Sequence, residues 1–250
     1  MSVTANIVND WNIHFPILKK FTPTALLMKA NIMLIGIRVT GEGAGGSYRI
    51  YLEVIPLWLE IFNAKNIIIY YEMKDQKGRQ LFIDYRFHDK MIDQAVSCAN
   101  AQFGSLLQKN IPLSQLLKFL DFYLSHSCLI SLYDYCNVIE LKLAAGLYLN
   151  SPLLLDSARK TIEKESAKWD ANHFFILFNK TIDEWKENIY HEFSDREAFI
   201  ARIKCNSEFP KIAKLNEAHI IDDLSTDYSL IKQSGIFHRI INSVTHIFKN

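Results

Sequence analysis

The chain has 250 residues, with 28 lysines and arginines against 27 aspartates and glutamates. A formal charge of +1 builds in no net attraction to nucleic acid or to an anionic membrane. Apolar residues make up 49% and charged residues 22%, a globular balance that excludes global disorder, and a chain this long buries roughly three quarters of its unfolded surface.

The first ten residues carry neither the basic nor the apolar region of a secretory signal. The most apolar stretches, 122–133 and 143–155, are bracketed by Asp121 and Asp134 and by Lys142 and Asp156, short of the ~18 residues a membrane span needs. A cytoplasmic protein without a membrane span is expected. Cys98, Cys128, Cys136 and Cys205 form no Cys-x-x-Cys pair, and the first three sit among apolar neighbours, as buried thiols do.

Residues 1–90 read as antiparallel β. The apolar run 32–40 and the β-branched and aromatic run 48–55 flank Gly41-Glu42-Gly43-Ala44-Gly45-Gly46-Ser47, a flexible hairpin connection. A second hairpin is predicted from 66–73 and 80–87, turning at Asp75-Gln76-Lys77-Gly78. In its last strand Leu81, Ile83, Tyr85 and Phe87 alternate with Phe82, Asp84, Arg86 and His88. Pro56 ends or bends the strand before it, and 57–63 forms a short helix or an irregular crossover.

After His88 the period shifts towards 3.6. Helices are predicted over 89–109, over 113–125 following Pro112, over 132–149, from Ser151-Pro152 to about Trp169, and from about His173 to His191. Another begins at the capping box Ser194-Asp195-Arg196-Glu197 and fades before Phe209-Pro210. Residues 91–150 hold only seven charged side chains, which suits an inner helical layer. Residues 216–229 read as an acidic loop. A last amphipathic helix over 228–248 gathers Phe237, Ile240, Ile241, Val244, Ile247 and Phe248, a stripe that must dock on the core or on a partner. The expectation is a single α+β domain over 1–250: a four-stranded antiparallel sheet followed by six or seven helices, with a split near residue 90 as the alternative.

Chemical motifs are scarce. The glycines at 41–46 lead into a strand and lack the Gly-Lys-Ser/Thr and helix of a phosphate loop. The eight histidines make no His-Glu-x-x-His, and no Gly-x-Ser-x-Gly elbow is present, so no metal and no cofactor is expected. Ser125-His126-Ser127-Cys128 holds nucleophile and base types without a geometry for them. Asp84, Arg86 and His88 share one strand face under strict alternation: a solvated edge, a protein-binding face or an acid–base group. Lys74, Lys77, Arg79 and Arg86, near Tyr70, Tyr71, Phe82 and Tyr85, form a small basic patch diluted by Glu72, Asp75 and Asp84, so nucleic-acid binding is not expected.

The segment Gly36-Ile37-Arg38-Val39, followed by Gly46-Ser47-Tyr48-Arg49-Ile50-Tyr51-Leu52-Glu53-Val54-Ile55-Pro56-Leu57, resembles the opening of bacterial immunity-type proteins encoded beside polymorphic or contact-delivered toxins. The likeness covers about 25 residues. Ile50 stands where that family often has proline, and the strand lacks its histidines. The resemblance implies a non-catalytic protein that inhibits a cognate toxin by stoichiometric binding, a task that needs aromatic anchors and complementary charge but no motif. Candidate partner-binding residues are Glu42, Glu53 and Glu60, or the Asp84, Arg86 and His88 face. The alternatives are a hydrolase using His88 with Asp84 or Asp89, and an adaptor docking through its C-terminal helix.

Overall fold

The computed structural model describes residues 3–42, 46–126 and 131–224. The described chain opens with a helix, α1 (Val3–His14), that buries Ile7, Val8 and Trp11, with Phe15 buried just after it. Each such side chain contributes about 1.5–3 kcal/mol when fully buried. Three antiparallel strands follow, β1 (Lys19–Thr22), β2 (Ala25–Ala30) and β3 (Met33–Glu42). The tight β2–β3 turn places Asn31 at φ 47°, a left-handed conformation that asparagine tolerates. The Asn31 side chain also accepts from the Ile220 amide and donates to the Tyr148 hydroxyl, so the turn is tied to two distant elements.

β4 (Ser47–Pro56) pairs with β3 along its whole length, from Met33 opposite Pro56 to Glu42 opposite Ser47, as the first hairpin predicts. The second predicted hairpin does not form as a ladder. β5 (Ile69–Glu72) and β6 (Ile83–Asp84) both pair with the same edge of β4, one after the other, and the segments meet only at a bridge between Lys74 and Gln80. The strand expected over 80–87 is cut short because the Asp84 side chain accepts from the Arg86 amide and caps a 3₁₀ turn, Tyr85–Phe87. That turn leads into α2 (His88–Phe103). The segment 57–63 is an irregular crossover.

β7 (Asn110–Pro112) ends on the proline that precedes α3 (Leu113–His126). α4 (Leu132–Tyr148) starts from a capping box made by Ser131 and Asp134, and α5 (Pro152–Ser166) from the Ser151 cap with proline in its first turn. The helix predicted from His173 to His191 is two: α6 (Ala171–Phe178) stops at Asn179 in the left-handed region (φ 50°), and α7 (Ile182–Glu192) restarts from a Thr181–Glu184 capping box. α8 (Arg196–Ser207) is capped by Asp195, while the Ser194 hydroxyl donates backwards to the His191 carbonyl. The acidic segment expected to be a loop contains β8 (Glu217–Ile221), with Ala218 and Ile220 buried and Glu217 paired to Lys29 at 2.8 Å. The predicted C-terminal helix lies outside the described residues.

The fold is therefore α+β, with eight strands and eight α-helices among the described residues in place of the four strands and six or seven helices expected. The sheet order is β5-β4-β3-β2-β8-β7, with β1 and β6 sharing edges of β2 and β4. β8 runs parallel to both of its neighbours. One sheet face is apolar: Leu26, Met28, Ile35, Ile37, Ile50, Leu52, Val54, Ile69 and Tyr71 are buried, and Tyr71 meets the rings of Phe119, Phe122 and Tyr123 on α3. Gly36 lies on the opposite face, where an added Cβ would stand 2.0 Å from the Leu26 carbonyl oxygen, so β2 and β3 cross there only because the residue is glycine.

Candidate functional site

The second face of the sheet carries an ordered array of polar and aromatic side chains. Strand register places Arg38 and Thr40 on β3, Arg49, Tyr51 and Glu53 on β4, and Tyr70 and Glu72 on β5 along one side. Arg38 grips Glu53 with two bonds, Nε to Oε2 at 2.6 Å and Nη2 to Oε1 at 3.2 Å, and its Nη1 donates to Thr24 Oγ1. Glu53 is fully buried. Burial pushes its carboxyl up from the ordinary value, and the Arg38 bonds and charge pull it back. The residue opposite Glu53 on β3 is Gly36, so no β3 side chain stands directly across from the carboxylate.

Beside this pair Tyr70 stacks on Tyr51 at 4.1 Å between centroids and 7° between planes, and its hydroxyl shares a 2.9 Å hydrogen bond with Thr40. Arg49 donates to Glu72 at 2.8 Å, and Glu72 also accepts from Gln80. The Arg49 guanidinium lies 5.6 Å from the Tyr51 ring centroid and 5.2 Å from that of Phe82. Tyr70 is 40% and Phe82 44% exposed. The array thus presents aromatic surface to solvent, and each ring is held by a stack, a hydrogen bond or a cation–π contact. The sequence reading places Tyr70 and Phe82 only beside the small basic patch and assigns Arg49 and Tyr51 to no site. The signal for the β4 members was the alternation of Arg49, Tyr51 and Glu53 with Tyr48, Ile50, Leu52 and Val54.

The predicted candidates separate. Glu53 belongs to the array but is enclosed in its ion pair. Glu42 ends β3 opposite Ser47, and Glu60 is exposed on the crossover after β4. Asp84, Arg86 and His88 do not share a strand face, because they fall on β6, on the 3₁₀ turn and at the start of α2. Arg86 is exposed and bonds Asp84 twice, which holds the Asp84 carboxyl down at about 2. Its guanidinium and the Lys90 ammonium both lie over the exposed ring of Phe87. The expected basic patch is likewise divided: Arg79 is bound to Asp75, Arg86 to Asp84, and Tyr71 faces the core.

His88 turns inward. It is 6% exposed, and both ring nitrogens are engaged: Nδ1 with the Tyr48 hydroxyl at 2.7 Å and Nε2 with Asp10 Oδ2 at 3.1 Å. The Trp11 indole can only donate, and it does so to the Tyr48 oxygen at 3.3 Å. The Asp10 carboxylate can only accept, so Nε2 of His88 carries the proton directed at it. Tyr48 has no exposed surface, and burial raises its phenol far above the ordinary value. This chain joins α1, β4 and α2, and it reaches solvent at Asp10, whose side chain is 43% exposed.

Cys98 and Cys136 are buried and free, and Cys205 is exposed and free, while Cys128 lies outside the described residues. No three metal-ligating side chains converge among the described residues, and no helix there is long and apolar enough to cross a membrane. Comparison with protein-family models, curated proteins and solved structures finds no match to this chain.

Proposed function

We propose that this chain is a non-catalytic, protein-binding protein of the immunity type, which inhibits a cognate bacterial toxin in the cytoplasm by stoichiometric binding through the Tyr70, Arg49 and Phe82 face. The observation that carries the reading is the fixed geometry of this aromatic and arginine set. Binding energy concentrates in Trp, Tyr and Arg anchors, and anchors already locked in place lose little side-chain entropy on association. Tyr70 is held from both sides, by Tyr51 and by Thr40, and Arg49 is held by Glu72. The resemblance of the β3–β4 hairpin to immunity-type proteins supports the same reading, because that hairpin supplies most of the array.

The test begins with an affinity pull-down from the native host, identification by mass spectrometry and native mass for stoichiometry. A single partner held 1:1, with Tyr70→Ala and Phe82→Ala each weakening it at least tenfold, is the expected result. A partner whose affinity neither substitution changes would remove this face. A chain that binds no protein and turns over a substrate would remove the whole reading.

A further inference from the structure

A cavity of about 440 Å³ opens between α2, α3 and the turn that follows β5. Phe122 and Ala101 line it with the Lys74 stem, and the nearly covered Tyr71 ring and Cys98 thiol reach it only at their edges. The turn beside it is held rigidly. Asp75 accepts from the Lys77 and Arg79 amides and from the Arg79 guanidinium, and Gly78 sits at φ 76°. The Gln102 amide clamps this wall to α2: it accepts from the Lys74 amide and donates to the Lys74 and Cys98 carbonyls. The walls are therefore preformed, and the volume lies within the roughly 300–1,000 Å³ of small-molecule sites.

The chemistry of the lining narrows the ligand. Burial, with the charge of Asp75 adding to it, raises the Cys98 thiol, so sulfur enters as a neutral, polarizable surface suited to a ring edge. Both protons of the Gln102 amide nitrogen are engaged on the wall, and Asp75, held by its own turn, keeps a negative charge there that disfavours an anionic ligand. Ser97, exposed on the α2 side of the cavity, offers a hydroxyl at the mouth. We propose that this cavity is a binding site for a small planar aromatic molecule of one or two rings, seated between Phe122 and Ala101 over the edges of Tyr71 and Cys98, with a hydroxyl or carbonyl directed to Ser97.

The probe is 2-naphthol, titrated into the ¹⁵N-labelled full chain and followed by amide chemical shifts. Saturable shifts confined to 71–78, 97–102 and the neighbourhood of Phe122 are expected. Ala101→Trp fills the cavity from an exposed helix position and should weaken binding at least tenfold while the rest of the spectrum is retained. Ser97→Ala, which removes only the hydroxyl, should weaken it about threefold. If Ala101→Trp unfolds the chain, Ser97→Ala alone decides. Shifts that never saturate, shifts centred on the exposed apolar residues Phe175 and Ile176 of α6, or an affinity that neither substitution changes would overturn the site.

Discussion

The Arg38–Glu53 pair yields the sharpest energetic prediction. Glu53 has no exposed surface and Arg38 retains 22% of its side-chain exposure. Replacing Arg38 by methionine keeps most of the stem and strands a buried carboxylate. Removing one partner of a buried pair costs about 3–5 kcal/mol, and the residual exposure of Arg38 puts this case near the lower end. For a domain of this size each kcal/mol moves the melting temperature by roughly 2–4 °C, so Arg38→Met should melt about 6–12 °C lower at pH 7. The sign with pH follows from linkage. The Glu53 carboxyl already titrates above its ordinary value in the native state, and loss of Arg38 raises it further. The native state then binds more protons than the unfolded chain, so stability falls as pH rises from the ordinary carboxylate value through the native one. The deficit should be smallest in acid and largest at neutral pH. The double variant Arg38→Met/Glu53→Leu should recover most of the loss. Melting curves of the single and double variants from pH 4 to 8 measure this. A single variant within 1 kcal/mol of wild type at pH 7, or a double variant no better than the single, would refute the reasoning.

Two further outcomes follow from the geometry. Gly36→Ala places a Cβ against the Leu26 backbone, which cannot rotate away as a side chain could, so a loss of at least about 3 kcal/mol in urea unfolding is expected; a near-neutral result would mean that β2 and β3 can separate there. The Glu140 carboxyl on α4 is pushed up to about 8 by burial first and by the charge of Glu192 second, against Lys180. Ionising it in the native state therefore costs stability as pH climbs from about 4.5 to 8, and Glu140→Gln should be neutral at pH 5 and stabilising by about 2 kcal/mol at pH 9, with the full shift discounted by half because the residue keeps some contact with solvent. Equal stabilities at both pH values would show that the carboxyl is hydrated.

Sequence legibility tracked how local each determinant was. The β3–β4 hairpin was readable because two β-rich runs flank a glycine-rich connection, and the starts of α3 and α5 because Pro112 and the Ser151 cap act within one turn. The split between α6 and α7 depended on Asn179 entering a left-handed conformation, which a continuous apolar period conceals. The strand β8 depended on two parallel neighbours supplied from residues 29–30 and 110–112, a non-local pairing that Ala218 and Ile220 only hint at. His88 looked like the tip of a strand because alternation continues through it, but the Asp84 cap converts the strand to a 3₁₀ turn and rotates the imidazole towards Tyr48 and Asp10. The array on the second sheet face was not read from the sequence: alternation along β4 puts Arg49, Tyr51 and Glu53 on one side, and Tyr70 and Phe82 join them only once β5 and β6 both pair with β4.

The way the sheet closes its edges bears on how a partner can be recognised. The outward amide of Tyr70 on the edge strand β5 faces the Tyr123 hydroxyl, and the Ile68 carbonyl just before that strand accepts from Asn137. Side chains from α3 and α4 thus occupy backbone groups that an added strand would need. At the other edge, β7 is three residues long and ends in Pro112, which has no amide to offer. Recognition by strand addition relies on a row of free backbone donors and acceptors, and the β5 and β7 edges blunt it. A partner that engages the β5 side of the sheet then reads side chains, and those held ready on an accessible face there are Tyr70, Arg49 and Phe82. Opening the β5 edge with Tyr123→Phe and Asn137→Ala should leave partner affinity unchanged within about twofold while Tyr70→Ala lowers it; an affinity that rises when the edge is opened would move recognition from the face to the edge.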